Sequence, residues 1–125
     1  MVDKLREIID ELNKDNKPVW LFACLKMDEF IDKWTLVISA PWVTESNRSE
    51  EFEKMIVLLK QKLDRQELFS IARLAFMPKD AHLVQELLKK RSGDIIRDEQ
   101  LNGNKVHEGR VIESNQELEI DSSIR

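Results

Sequence analysis

Two parts of the sequence carry side chains that could do chemistry. Arg73 interrupts an apolar stretch, and a buried guanidinium there must meet a carboxylate, a carbonyl or an anionic ligand. Asp98 and His107 would face each other if Asn102-Gly103 turns a hairpin, and could then act as an acid and base pair. These residues define one hypothesis, a small hydrolase or nucleotide-handling enzyme that binds an anion with Arg73 and holds acidic residues in a cleft. The simpler interpretation of Arg73 is an exposed strand position paired with an acid.

Other reactive residue types lack the neighbours that their chemistry needs. Asp28, Glu29 and Asp32 could line a cation site, but their spacing is not that of an EF-hand or a zinc site. Ser39 is not followed by the glycine of a nucleophile elbow. Cys24 has neither a CxxC partner nor a neighbouring base. The sequence therefore assigns no catalytic residue, no metal and no cofactor.

Tryptophans and a polar hairpin favour protein binding instead. Trp20, Trp34 and Trp42 flank the first two predicted strands, and an exposed tryptophan is a strong anchor for another protein chain. A polar hairpin at a sheet edge could accept an added strand. The leading hypothesis is a non-enzymatic protein-interaction module whose partner is another protein or a second copy of itself, as a homodimer. Trp20, Trp42 and Val106 are its predicted interface residues.

Composition narrows the class of partner and the location. The chain has 125 residues, of which 35% are charged, and a net charge of −4. That charge argues against a nucleic-acid binder, whose surface neutralises phosphates. The basic run Lys89-Lys90-Arg91 is explained more simply as a helix C-terminus that complements its own dipole. No stretch approaches the ~20 apolar residues of a membrane span, so we expect a cytoplasmic protein with no membrane contact.

The elements that would position these residues alternate between strand and helix. Val19 to Leu25 and Trp34 to Ala40 are continuous apolar runs, typical of strands buried on both faces, and the short interval between them favours an antiparallel pair. Helical spacing predicts a helix over Asp3 to Asp15 and another that ends near Leu63, capped by Asn47 with Glu50 or by Ser49. The second of these helices should bury Phe52 on one face.

The second half of the chain continues the alternation. Asp64 to Leu68 predicts a helical turn and Phe69 to Met77 a third strand, although the latter segment also fits a helix. Asp80 should cap a helix over Ala81 to Arg91. Strands over Asp94 to Leu101 and Asn104 to Glu113 would flank the Asn102-Gly103 turn, with facing residue numbers that sum to 205.

These elements predict the α/β class. We expect a single-layer mixed sheet of about five strands, in the chain order α-β-β-α-β-α-β-β, covered by about three helices. Residues 1–113 should form one domain, because 125 residues suffice for one core and not for two. Residues 114–125 should be a polar, partly disordered tail.

Overall fold

The computed structural model describes residues 1–27, 32–115 and 117–118. Its five strands form one mixed sheet in the order β3-β2-β1-β5-β4. The elements follow the predicted chain order, and the helical turn predicted before the third strand forms a short helix of its own. Their bounds are α1 Val2–Lys14, β1 Leu21–Met27, β2 Trp34–Ser39, α2 Arg48–Lys62, α3 Arg65–Phe69, β3 Ile71–Phe76, α4 His82–Leu88, β4 Ile95–Leu101 and β5 Asn104–Ser114.

The centre of the sheet is β1, which pairs antiparallel with β2 on one side and β5 on the other. Its first five residues, from Leu21 to Leu25, have no exposed surface. A strand that is covered on both faces must be apolar at every position, because successive side chains point to opposite sides. This confirms the double-sided burial expected from the continuous apolar run.

Two hydrophobic clusters lie on the two faces of the sheet. Phe22, Cys24, Leu36 and Ile38 point to the face covered by α1 and α2. The odd-numbered residues of β1, together with Val37, point to the opposite face, where α4 packs. The helices therefore cover both faces, as a sheet with an apolar centre requires.

The third strand forms as predicted, with narrower bounds. Residues Ile71–Phe76 pair in parallel with β2, and α2 provides the long connection that parallel neighbours need. The helical turn before it also forms. Asp64 accepts a hydrogen bond from the Glu67 backbone while the Glu67 side chain accepts one from the Asp64 backbone, which makes a capping box.

Three local predictions about the helices were wrong. Asn47 precedes α2 but makes no side-chain cap, because its amide group bonds the Thr44 N–H and the Trp42 carbonyl instead. The last helix is shorter than expected and begins after Ala81, not Asp80. Phe52 is 38% exposed, so α2 does not bury it.

The C-terminal hairpin has the predicted register. Arg97 faces Glu108, and each observed pair sums to 205. Asn102 and Gly103 both have positive φ, at 50° and 81°, as a tight turn of this kind demands. The hairpin lies at a sheet edge, with β4 outermost.

No helix in the described part of the chain has the length and apolar character to cross a lipid bilayer.

Gly109 allows β5 to approach β1 closely. A Cβ atom at this position would lie 2.8 Å from Leu25 Cδ2 and 3.2 Å from the Cys24 carbonyl oxygen. Both neighbours are fully buried, so they have little room to yield. We expect Gly109→Val to lower the free energy of unfolding by about 1–3 kcal/mol. Chemical denaturation measures this change.

The control for this prediction is Ala72→Val, which adds bulk at an exposed position of β3. Its effect should stay within about 0.5 kcal/mol. Equal unfolding midpoints for the two variants would contradict the close packing described for Gly109.

Candidate functional site

The residues of the enzyme hypothesis are not brought together. Arg73 lies in β3 and Asp98 in β4, which are the two opposite edges of the sheet. Four strand spacings separate them, or roughly 19 Å. Asp98 has a φ of 46° and no ladder pair, although its neighbours keep it across from His107. Asp28 and Glu29 lie outside the described residues.

The predicted interface residues have internal roles. Trp42 donates its indole N–H to the Pro18 carbonyl at 2.8 Å and meets Phe76 edge-on at 6.3 Å between ring centroids. Trp20 donates to the Leu118 carbonyl at 3.0 Å. Val106 has no exposed surface, so a substitution there changes the core directly. The two tryptophans therefore link the segments that flank β1 and β2, and Val106 belongs to the core.

Candidate nucleophiles are enclosed by the core. Ser39 has no exposed surface, and neither its hydroxyl nor that of buried Thr35 has a hydrogen-bond partner among the described residues. Cys24 is fully buried, and this burial raises the pKa of its thiol to about 11. Within residues 1–27, 32–115 and 117–118, no three His, Cys, Asp or Glu side chains cluster in a way that could hold a metal ion.

The basic run after α4 is largely paired with acids. Lys89 contacts Glu86 at 3.2 Å, and Lys90 contacts Glu99 at 2.9 Å. Such pairing reduces the field available to a phosphate backbone. These contacts give the run a structural role within the α4 and β4 region.

The two edge strands of the sheet differ in how readily they could pair with a strand of another chain. The outer strand β4 carries Arg97, Asp98 and Glu99 in succession, and the left-handed Asp98 interrupts its ladder. Charges and irregular backbone are common devices that prevent an edge from pairing with another chain. The opposite edge, β3, reads Ile-Ala-Arg-Leu-Ala-Phe and contains a single charge.

The outer edge of β3 has backbone groups directed away from the sheet. Met77 N–H donates to the Ile38 carbonyl at 2.9 Å, so the backbone groups of Met77 point toward β2. Backbone groups alternate in direction along a strand, so the N–H and C=O groups of Leu74 and Phe76 point outward. No described strand lies on that side.

An apolar groove of about 460 Å³ runs beside this edge, between α2 and β3. Phe52 lines the groove and meets the Phe76 ring at 6.5 Å between centroids. Leu68 and Ile71 lie toward the start of β3. The residues that line the groove are Phe52, Ile56, Leu59, Lys60, Leu68, Ile71, Ala72, Arg73 and Leu74. We call this groove and the outer backbone of β3 the β3 edge site.

Phe69 extends the apolar surface at the start of β3. It is 74% exposed, and Lys33 Nζ lies 3.9 Å from its ring centroid. The helix α3 holds it in place, since Glu67 closes the capping box and also accepts a 2.6 Å hydrogen bond from Lys4 Nζ. The bond from Lys4, and then the bond from the Asp64 backbone, lower the pKa of Glu67 to about 2. The same contact raises the pKa of Lys4.

Sequence reasoning missed the β3 edge site, although one signal pointed to it. Residues Met55 to Leu59 of α2 are all apolar, and two of them, Ile56 and Leu59, line the groove. A helix that covers a sheet on one side only needs apolar residues on one stripe. The helix α2 carries more apolar residues than one stripe needs, and this excess indicates a second contact beside β3.

Comparison of the chain with known proteins found no matching family model, no significantly similar curated protein and no significantly similar solved structure.

Burial of Cys24 predicts an unreactive thiol. Only the thiolate attacks a disulfide reagent, and a pKa of about 11 leaves little thiolate at pH 8. We expect no release of thionitrobenzoate from the native protein on the timescale of minutes, and one equivalent after unfolding in guanidinium chloride. Rapid release of one equivalent from the native protein would contradict this burial.

The lowered pKa of Glu67 predicts a specific pH dependence of stability. A carboxylate whose pKa falls from 4.5 to about 2 on folding stabilises the native state above pH 4.5, and this contribution is lost as the pH falls through 2. The melting temperature of Glu67→Gln should therefore lie below that of the wild type at neutral pH. The two should converge at pH 2.

Glu53→Gln is the matched control, because it removes one exposed carboxylate from α2. The measurement is thermal unfolding of the three proteins at pH 7, 4 and 2. A difference between wild type and Glu67→Gln that stays constant over this range would show that the contacts of Glu67 do not depend on its charge.

Proposed function

We propose that this protein is a non-enzymatic interaction module that binds an extended segment of a partner protein at the β3 edge site. The observation that carries the proposal is the outward direction of the Leu74 and Phe76 backbone groups beside an apolar groove. An added strand gains affinity from main-chain hydrogen bonds and specificity from pockets for alternate side chains. Both features occur together along this edge.

The dimensions of β3 suit a short partner segment. The strand has six residues, which at ~3.3 Å per residue give an edge of about 20 Å. Side chains of an added strand alternate between the two faces of the sheet. Every second residue of the partner would therefore enter the groove between Phe52 and Leu68, where aliphatic or aromatic side chains would displace water from apolar surface.

The contrast between the two sheet edges also supports the proposal. A regular apolar edge strand tends to aggregate unless it is blunted or used. The charges and left-handed residue of β4 provide such protection at one edge. The six residues of β3 include one charged side chain, Arg73. Such a sequence is better suited to contact with another protein segment than to exposure to water. We therefore expect the partner to bind at β3 and not at the C-terminal hairpin, which the sequence favoured.

A test of this function begins with selection of linear peptides from a random phage library on the immobilised full chain. Synthetic copies of the selected peptides are then titrated by fluorescence anisotropy. We expect Phe69→Ala to weaken their binding by about fivefold or more, because a well-placed aromatic contact contributes on the order of 1 kcal/mol. The fold should be unaffected, since Phe69 is 74% exposed.

Ile95→Ala is the matched control. Ile95 is also an exposed apolar residue, at 53%, but it lies on the opposite edge strand, so its removal should leave peptide affinity unchanged. Methylation of alternate backbone amides of a selected peptide should abolish binding, because strand addition needs those donors. If Ile95→Ala weakens peptide binding and Phe69→Ala does not, the peptides bind elsewhere on the protein and the proposal is wrong.

A further inference from the structure

A bulge interrupts the β3 edge near its start. The register between β2 and β3 shifts after the pair of Trp34 with Ile71, which leaves Ala72 without a partner in β2. A bulge of this kind disrupts the ladder locally, because the extra residue breaks the alternation of backbone directions. Regular pairing with an added strand can therefore begin only at Arg73.

Pro78 limits the same edge at its other end. Proline has no backbone N–H to donate, and the Pro78 carbonyl already accepts a hydrogen bond from the Ala81 N–H at 3.1 Å. Between these two limits, the backbone groups directed away from β2 are those of Leu74 and Phe76. The edge therefore offers two N–H donors and two carbonyl acceptors, which two residues of a partner can satisfy.

The direction of the added strand decides which partner residues make these bonds. In antiparallel pairing, two residues directly opposite each other exchange both hydrogen bonds, and their side chains lie on the same face of the sheet. In parallel pairing, the bonds go to the residues on either side of the opposite one, whose side chains lie on the other face. Antiparallel pairing is the more stable per residue, so we expect it at this edge.

The groove beside the edge matches side chains that are two residues apart. Leu74 and Phe76 pack against the cluster on the α2 side, so partner residues directly opposite them point to that side too. Two residues of a strand span ~6.6 Å, and one turn of a helix rises ~5.4 Å. Phe52 and Ile56 are one turn apart along α2, and both line the groove. Each of these two residues can therefore contact one side chain of the partner.

The partner residue between these two would face the other side of the sheet. It would lie opposite Ala75, whose methyl group offers little surface for contact. The helix on that side, α4, packs mainly on β1, β4 and β5. We therefore expect little selection for the type of side chain at this middle position.

On the premise that the β3 edge site binds an extended segment, we propose that this segment is a short linear motif with large apolar residues at its first and third positions, bound antiparallel to β3. The first residue exchanges hydrogen bonds with Phe76 and lies beside Phe52. The third exchanges hydrogen bonds with Leu74 and lies beside Ile56. The residues that bond to the edge are thus the same ones that fill the groove.

A second copy of the chain suits the groove less well. Its β3 also has two apolar residues two positions apart, Leu74 and Phe76. Both side chains already pack against the core of their own copy, so they cannot also fill the groove beside Phe52 and Ile56 of the other copy. The groove therefore favours a segment that brings apolar side chains of its own.

The test uses three labelled peptides of the same length and composition, each with two leucines in a background of serine and threonine. The leucines are two residues apart in the first peptide, adjacent in the second and three residues apart in the third. Only the first peptide places both leucines on one face of a strand. Fluorescence anisotropy with the full chain should show that it binds at least about tenfold more tightly than the others. We expect a micromolar dissociation constant, because so short a segment buries less than the ~1,200 Å² of stable interfaces.

Methylation of single peptide amides tests the direction of the strand. N-methylation of either leucine in the first peptide should weaken binding by at least about tenfold, because it removes a donor to the carbonyl of Leu74 or Phe76. N-methylation of the residue between the leucines should change the affinity by less than about twofold, since that amide points away from β3. The reverse pattern would show parallel addition and would overturn the proposed motif.

Phe52→Ala tests the groove from the side of the protein. Phe52 is 38% exposed and lines the groove, so its removal should weaken binding of the first peptide by about fivefold or more. Val57→Ala is the matched control, because Val57 is an apolar residue of α2 that is 53% exposed and does not line the groove. Its removal should leave the affinity unchanged. Equal effects of the two substitutions would contradict the position proposed for the motif.

Each remaining outcome has a separate meaning. Equal binding of the three peptides, still weakened by Phe69→Ala, would overturn the motif and leave the proposed function standing. Absence of binding by these peptides and by those selected from the library would overturn both. A dimer seen by light scattering and disrupted by Phe52→Ala would replace the external segment with a second copy of the chain.

The chain's own C-terminal sequence is a competitor, because Leu118 and Ile120 are two positions apart. In the full chain, Ile120→Ser should leave the affinity for the first peptide unchanged if an external segment uses the edge. A large gain in affinity in this variant would show that the chain's own end occupies the groove, and would overturn the proposal.

Discussion

Burial of β1 on both faces is the constraint on which the rest of the structure depends. Every residue from Leu21 to Leu25 lacks exposed surface, and such a strand is stable only when apolar layers cover both sides of the sheet. The helices α1 and α2 form one layer and α4 contributes to the other. Gly109 lets β5 approach β1 at the distance that this packing needs. Burial of roughly five side chains here contributes several kcal/mol, at ~25 cal/mol per Å² of apolar surface.

The same constraint determines which strands form the edges of the sheet. Because β1 takes the centre, β2 and β5 flank it, and β3 and β4 become the edges. The hairpin turn at Asn102 and Gly103 joins β4 to β5 directly, whereas α2 connects β2 to β3 and lies beside the edge that it creates. An edge strand next to a long helix leaves a groove between them. The position of the β3 edge site thus follows from strand order and connection length.

The sequence predicts the fold better than it predicts the site. Local patterns identified the strands and their order along the chain, because continuous apolar runs, the Asn102-Gly103 turn and the Asp64 capping box each act over a few residues. The cap expected from Asn47 failed because a competing contact with Trp42 and Thr44 used its side chain. Competition of this kind depends on tertiary structure, which local sequence does not encode.

Residues of the site were harder to predict because exposure depends on strand order. Val106 and Phe69 are both apolar residues near predicted strands, yet Val106 is fully buried and Phe69 is 74% exposed. That difference arises because β5 lies inside the sheet and β3 at its edge. Arg73 was singled out for interrupting an apolar run, and its edge position explains how a charge is accommodated there. Its role in an anion-binding cleft with Asp98 has no geometric basis, since these residues occupy opposite edges.

Amide hydrogen exchange in the protein without any ligand tests the openness of the β3 edge most directly. Ala75 and Met77 direct their N–H groups toward β2, as the Met77 bond to Ile38 shows, and their amides should exchange slowly. The amides of Leu74 and Phe76 point outward and should exchange at least about a hundredfold faster, because no described strand protects them. Protection of Leu74 and Phe76 equal to that of Ala75 would contradict the account, since it would mean that another segment already pairs with this edge.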